Sequence, residues 1–181
     1  MSRFASSTLL ELVLITSVIF VSGCGGLKTT SYMSPPDSRL RNYKALEIPE
    51  FETDMEDVPE EALLRLPKEI ARVIQERNIG FREVVYGETE ASTDESTLVM
   101  FGEITDYTSG KDIKFEKGAI KFAEAELTIL LSILDKSTGR EITSGEISGL
   151  SSFGFLKKGF FTKGVYEAVA EEIAEFLAEN Y

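Results

Sequence analysis

Histidine and tryptophan are absent from this 181-residue chain, and cysteine occurs once, at position 24. The missing histidine removes the commonest general base and the commonest transition-metal ligand together. With a single thiol as well, this chain alone cannot assemble an internal disulfide, a zinc site, or a Ser-His or Cys-His nucleophilic pair. Basic residues are scarce too: 19 Lys and Arg stand against 31 Asp and Glu, for a formal charge of -12. A surface of that sign repels nucleic acid and anionic lipid headgroups, because phosphate contact needs clustered cations to release counterions. The main apolar run, Leu12 to Val21, has ten residues, against the roughly 20 that a membrane-crossing helix requires. These absences set the expectation of a protein with no metal, no cofactor, no nucleic-acid partner and no enzymatic activity.

That short apolar run has a different use. It follows a positive start (the amino group and Arg3, with Glu11 opposing them) and leads into the small residues Ser22 and Gly23 before Cys24. This is the layout of a secretory signal peptide, whose apolar core spans roughly 7 to 15 residues. Val21-Ser22-Gly23-Cys24 resembles the lipobox of bacterial lipoproteins. The resemblance implies that residues 1–23 are a signal peptide removed before Cys24. It also implies a diacylglycerol thioether on the Cys24 sulfur and an acyl chain such as palmitate on the new amino terminus. Several chains make a stable anchor, since each buried methylene adds about 0.8 kcal/mol and one chain alone is marginal. The competing readings are a free cysteine behind an ordinary signal peptide, or a buried amino-terminal helix. Gly23, Gly25 and Gly26 argue against the helix, at about 1 kcal/mol each relative to alanine. Gly25, where an aspartate would favour retention in the inner membrane, points by analogy to the outer membrane, facing the periplasm.

Residues 25–42 are rich in Gly, Ser, Thr and Pro without sustained apolar periodicity, so the segment 24–42 reads as a flexible tether. The remainder, 43–181, suits one domain with its own core. "YKALEIPEF" alternates as a strand with Leu46 and Ile48 on one face, and Pro49 marks its end. Leu63, Leu66, Ile70, Val73 and Ile74 recur at helical spacing. Pro67 interrupts that stripe, which predicts a short turn and then a helix from Pro67 to the stop at Gly80. "FREVVYGE" and "TLVMFGEITDYTSG" read as strands, and "AIKFAEAELTILLSILD" as the longest strand. "DKSTGRE" is a hairpin turn with Gly139 at the left-handed position, and "EITSGEISG" is the returning partner. Val165, Val169, Ile173, Phe176 and Leu177 mark a terminal amphipathic helix. The fold class that follows is α+β: a mostly antiparallel sheet with two amphipathic helices packed on one face.

Little in the chain suggests chemistry. Glu124 and Glu126 share a strand face and so form a conceivable acid/base pair; a solvated strand face is the plainer reading. The acidic run Glu50, Glu52, Asp54, Glu56 and Asp57 lacks the spacing that wraps a chain around calcium. Between Ser148 and Gly164, Phe153, Phe155, Phe160 and Phe161 sit among glycines and Lys157, Lys158 and Lys163. Those aromatics either dock on a membrane or partner chain or tuck into the core.

"YKALEIPEF", "LVMFGEITDYTSG", the long hairpin "LTILLSILDKSTGREITSGEISG" and the closing helix together resemble an uncharacterised family of small bacterial lipoprotein domains. More distantly they are similar to the periplasmic domains of the curli-secretion channel lipoprotein and of the lipoprotein activators of penicillin-binding proteins. The channel's pore-forming segments have no counterpart here. The resemblance implies an accessory role in envelope assembly or transport and carries no catalytic residues. The expectation is a non-enzymatic, lipid-anchored envelope protein that binds a protein partner or itself. The alternative is an envelope ligand-binding module or hydrolase using Glu124 and Glu126.

Overall fold

A computed structural model describes residues 27–87, 96–109, 113–116, 119–122, 125–151 and 164–181. In chain order the strands are β1 (Leu27–Met33), β2 (Ala45–Ile48), β3 (Glu83–Tyr86), β4 (Thr97–Ser109), β5 (Ile113–Glu116), β6 (Ala119–Phe122), β7 (Ala125–Asp135) and β8 (Glu141–Ser151). Helix α1 (Glu60–Arg77) lies between β2 and β3, and α2 (Val165–Asn180) follows β8. Six strands form one sheet in the order β1-β8-β7-β4-β2-β3, while β5 and β6 pair only with each other. The α+β class holds. The sheet is mixed, however: β2 runs parallel to both β3 and β4, because α1 carries the chain back across the sheet before β3 begins.

Alternation decides which face is buried. Leu98, Met100 and Ile104 of β4 and Leu127, Ile129, Leu131 and Ile133 of β7 all point under the helices, at 1% exposure or less. From above they meet Leu66, Ile70 and Ile74 of α1 and Val169, Ile173 and Leu177 of α2, all in the same core. Each such side chain contributes about 1.5–3 kcal/mol by leaving water. Close approach is built in by glycine. A Cβ on Gly102 would come within 2.6 Å of three ring carbons of Phe51, and one on Gly149 would come 2.7 Å from Val169 of α2.

Three sequence expectations need correction. Pro67 does not begin α1 but sits inside one continuous helix. Its missing N–H would have bonded the carbonyl of Leu63, and the backbone N–H of Phe51 takes that acceptor instead, at 3.3 Å. The run "AIKFAEAELTILLSILD" is not one strand, since residues 119–122 belong to the separate β5–β6 hairpin. Most consequentially, the expected tether is structured over much of its length. β1 pairs residue for residue with β8 from Leu27↔Ser151 to Met33↔Gly145. Thr29 donates its hydroxyl to Glu172 of α2 at 2.8 Å, and Ser34 and Thr143 share hydrogen bonds beyond the strand end. A side chain at Gly145 would collide with Tyr32 and Met33, so glycine there lets β1 close the sheet edge.

Candidate functional site

Both helices lie on one side, and among the described residues no helix covers the opposite face of the six-stranded sheet. The register assigns its rows. One row runs Tyr32–Glu146–Leu130–Glu103 across β1, β8, β7 and β4, the next holds Ser144, Ser132 and Phe101, and a third runs Leu134–Val99–Glu47–Val85. On a solvated face these positions call for polar side chains. Instead Tyr32 is 74% exposed, Phe101 46% and Leu130 44%. Leu130 and Phe101 neighbour each other diagonally across β7 and β4 and form an apolar patch beside Glu103, while Glu146 separates Leu130 from Tyr32.

The patch runs into a groove of about 400 Å³ between the end of β2 and the β7–β8 turn, lined by Glu47, Pro49, Val99, Phe101, Leu134 and Lys136 among others. Its charged element is an ion pair. Glu47 is only 5% exposed, and Lys136 Nζ donates to its two carboxylate oxygens at 2.7 and 2.8 Å. Lys136 is held over the row by its own backbone N–H, which donates to the Thr97 carbonyl at 3.0 Å. The turn before it is fixed by Asp135. One carboxylate oxygen accepts the Ser137 N–H and hydroxyl and the Thr138 N–H, and the other accepts the Tyr43 hydroxyl at 2.9 Å. Led by the Ser137 hydroxyl, these donors lower the Asp135 pKa to about 2. Gly139 completes the turn at φ +67°, as its place in "DKSTGRE" predicts.

Such a groove can seat an apolar side chain with a polar end. Among the described residues, no three acidic or cysteine side chains converge to hold a metal. Asp135 is committed to its turn and Glu47 to Lys136. On the helical side, burial and the neighbouring Tyr107 hydroxyl at 3.2 Å push the Tyr166 phenol well above its usual range, so it stays protonated.

Of the residues singled out from the sequence, Cys24, Glu124, Phe153, Phe155, Phe160 and Phe161 lie outside the described residues. Glu126 is half-buried on the open face, cross-strand from Leu150 and Thr108. It stands about 27 Å along β7 from the Leu134 row at the usual strand rise, far from the groove. Glu52 bridges to Glu103 through the backbone. The sequence reading does not single out the groove or the neighbouring Leu130, and the signal for them is an ambiguous one. Leu130, Leu134 and Phe101 are apolar where the alternation set by Thr128, Ser132 and Glu103 calls for polarity.

Fold and site together define an α+β domain with one sheet face covered by two helices and the other open for contact. No protein-family model matches the chain, and no curated protein sequence does. Solved structures share the fold. PelC from Paraburkholderia phytofirmans, crystallised as a dodecamer, is 14% identical with a TM-score of 0.56, over 83% of this chain and 98% of that one. The protein XCC0632 from Xanthomonas campestris, of the DUF330 family, is 11% identical with a TM-score of 0.50, over 82% and 89%. At these identities the likeness is one of fold.

Proposed function

We propose that this chain is a lipid-anchored, non-enzymatic envelope protein that uses the open face of its sheet to bind protein, with other copies of itself as the first candidate. The observation that carries the reading is the exposure of Phe101 and Leu130, with Tyr32 beyond Glu146, on paired strands where solvent alone would select polar residues. Aromatic and aliphatic anchors beside a groove, edged by charge, are the usual centre of a protein interface. The dodecamer of PelC, similar in fold, supports self-assembly as the form that binding takes. The sequence around Cys24 supports lipidation and an outer-membrane site facing the periplasm.

The test has two arms. Sedimentation of the purified protein should show assembly at tens of micromolar, and Phe101→Glu with Leu130→Glu should abolish it while leaving the circular dichroism unchanged. A photocrosslinker at position 101 should capture the same chain, or one envelope protein, in cells. A strictly monomeric protein with no crosslinked product would remove the reading. For the hydrolase alternative, Glu126 stands away from the groove and Glu124 lies outside the described residues. A ligand-binding role keeps one support, the groove volume, which falls within the range of small-molecule sites.

A further inference from the structure

Strand β1 is held to the domain by hydrogen bonds more than by burial. From Lys28 to Arg39 no side chain is fully buried, and the core begins only at Leu40, which is 0% exposed. Within that stretch Met33 packs partly against the core. The strand is fastened by its ladder with β8 from Leu27↔Ser151 to Met33↔Gly145. Two backbone bonds continue the ladder: the Ser34 N–H donates to the Ser144 carbonyl at 2.9 Å and the Asp37 N–H to the Ile142 carbonyl at 2.8 Å. The Thr29 hydroxyl on Glu172 and the Thr143 hydroxyl on the Ser34 carbonyl add bonds to the same two elements, α2 and β8. A strand with so few buried apolar contacts lies at the low end of local stability and opens before the core does.

The joint behind this strand suits a swinging arm. Pro35 and Pro36 fix their own φ and hold the residue before each of them extended. The arm therefore leaves stiff and loses little freedom when it pairs again. The chain then bends at Asp37 and Ser38. Ser38 Oγ is the one buried side-chain polar atom among the described residues with no hydrogen-bond partner, so the closed bend carries a cost that opening removes. Residues 27–37, extended, reach about 36 Å, against a radius of gyration of about 15 Å for a domain of this size. The arm is long enough to leave its own domain.

We propose that β1 is an exchangeable strand: in the assembled form, β1 of one copy pairs with β8 of another in the register it has within the single chain. The proposal rests on the self-assembly part of the reading above and names the segment that carries it. Exchange regenerates every bond of the closed form, so the balance is set by concentration and by relief at the Ser38 bend. The open face is then completed from two chains, with Tyr32 beside the partner's Glu146.

The test uses the mature chain with Cys24→Ser throughout. One protein carries Thr30→Cys and another Ser148→Cys, at positions that are cross-strand partners. Mixed at tens of micromolar, equilibrated and then oxidised, they should give a disulfide-linked dimer of one chain of each kind, in clear excess over like-with-like dimers, because a disulfide needs Cα atoms within about 7 Å. A double variant, Thr30→Cys with Ser148→Cys, fixes the closed form. Oxidised at nanomolar concentration it should link within one chain, stay monomeric when concentrated, and regain assembly on reduction. No mixed dimer, like-with-like dimers in equal amount, or full assembly of the linked double variant would overturn exchange. So would failure to link within one chain by both this pair and Tyr32→Cys with Glu146→Cys, since β1 would then not pair with β8 at all. The open-face reading fails separately. If Phe101→Glu with Leu130→Glu leaves the mixed dimer intact, exchange stands without the open face. If the protein sediments as an assembly yet gives no mixed dimer, the open face stands without exchange.

Discussion

Lys136→Met should destabilise the protein by about 2–3 kcal/mol at pH 7. Breaking a buried ion pair by removing one partner costs about 3–5 kcal/mol, because the other charge is left in a poorly solvated site. Here the Glu47 side chain is 7% exposed but that of Lys136 is 28% exposed, so solvent reaches one partner and the cost falls below that range. In a urea melt with a slope of roughly 2 kcal/mol per molar, the midpoint should drop by about 1–1.5 M. Replacing both partners, Glu47→Leu with Lys136→Met, should restore stability to within about 1 kcal/mol, since nothing charged remains to be desolvated. If Lys136→Met lies within about 0.5 kcal/mol of the parent at pH 7, or the double variant is worse than the sum of the singles, the ion pair does not govern this end of the sheet.

Asp135 offers a separate pH signature. Its carboxylate is held at about 2, below an unfolded value near 3.9. Its contribution is therefore complete above about pH 4 and lost as the pH falls through 2, and Asp135→Ala should flatten the melting temperature across that window. Gly102→Ala should cost about 1–3 kcal/mol in a thermal melt, because the new Cβ would clash with ring carbons of Phe51. Phe51→Leu in the same chain should recover part of that loss, whereas an additive result would mean the two positions do not meet.

Much of the architecture is legible in the sequence because it rests on alternation. Leu127, Ile129, Leu131 and Ile133 face the helices as their period-two spacing requires, and Val169, Ile173 and Leu177 do so at helical spacing. What was not legible depends on partners distant in sequence. "LKTTSYM" carries too few apolar residues to declare a face, and it becomes a strand only because β8, more than a hundred residues later, offers an edge with Gly145 where β1 must approach. Pro67 reads as a break because local rules cannot see Phe51 reaching the Leu63 carbonyl. The groove is an intermediate case. Phe101, Leu130 and Leu134 violate the alternation visibly, yet in sequence such a violation is indistinguishable from a strand buried on both faces. Only the position of both helices on one side turns the same residues into exposed surface. The ordering of β1 also changes what the amino-terminal segment means. A long flexible tether would leave the domain free to tumble below its anchor. A strand beginning three residues after Cys24 instead fixes which end of the sheet sits beside any lipid attached there.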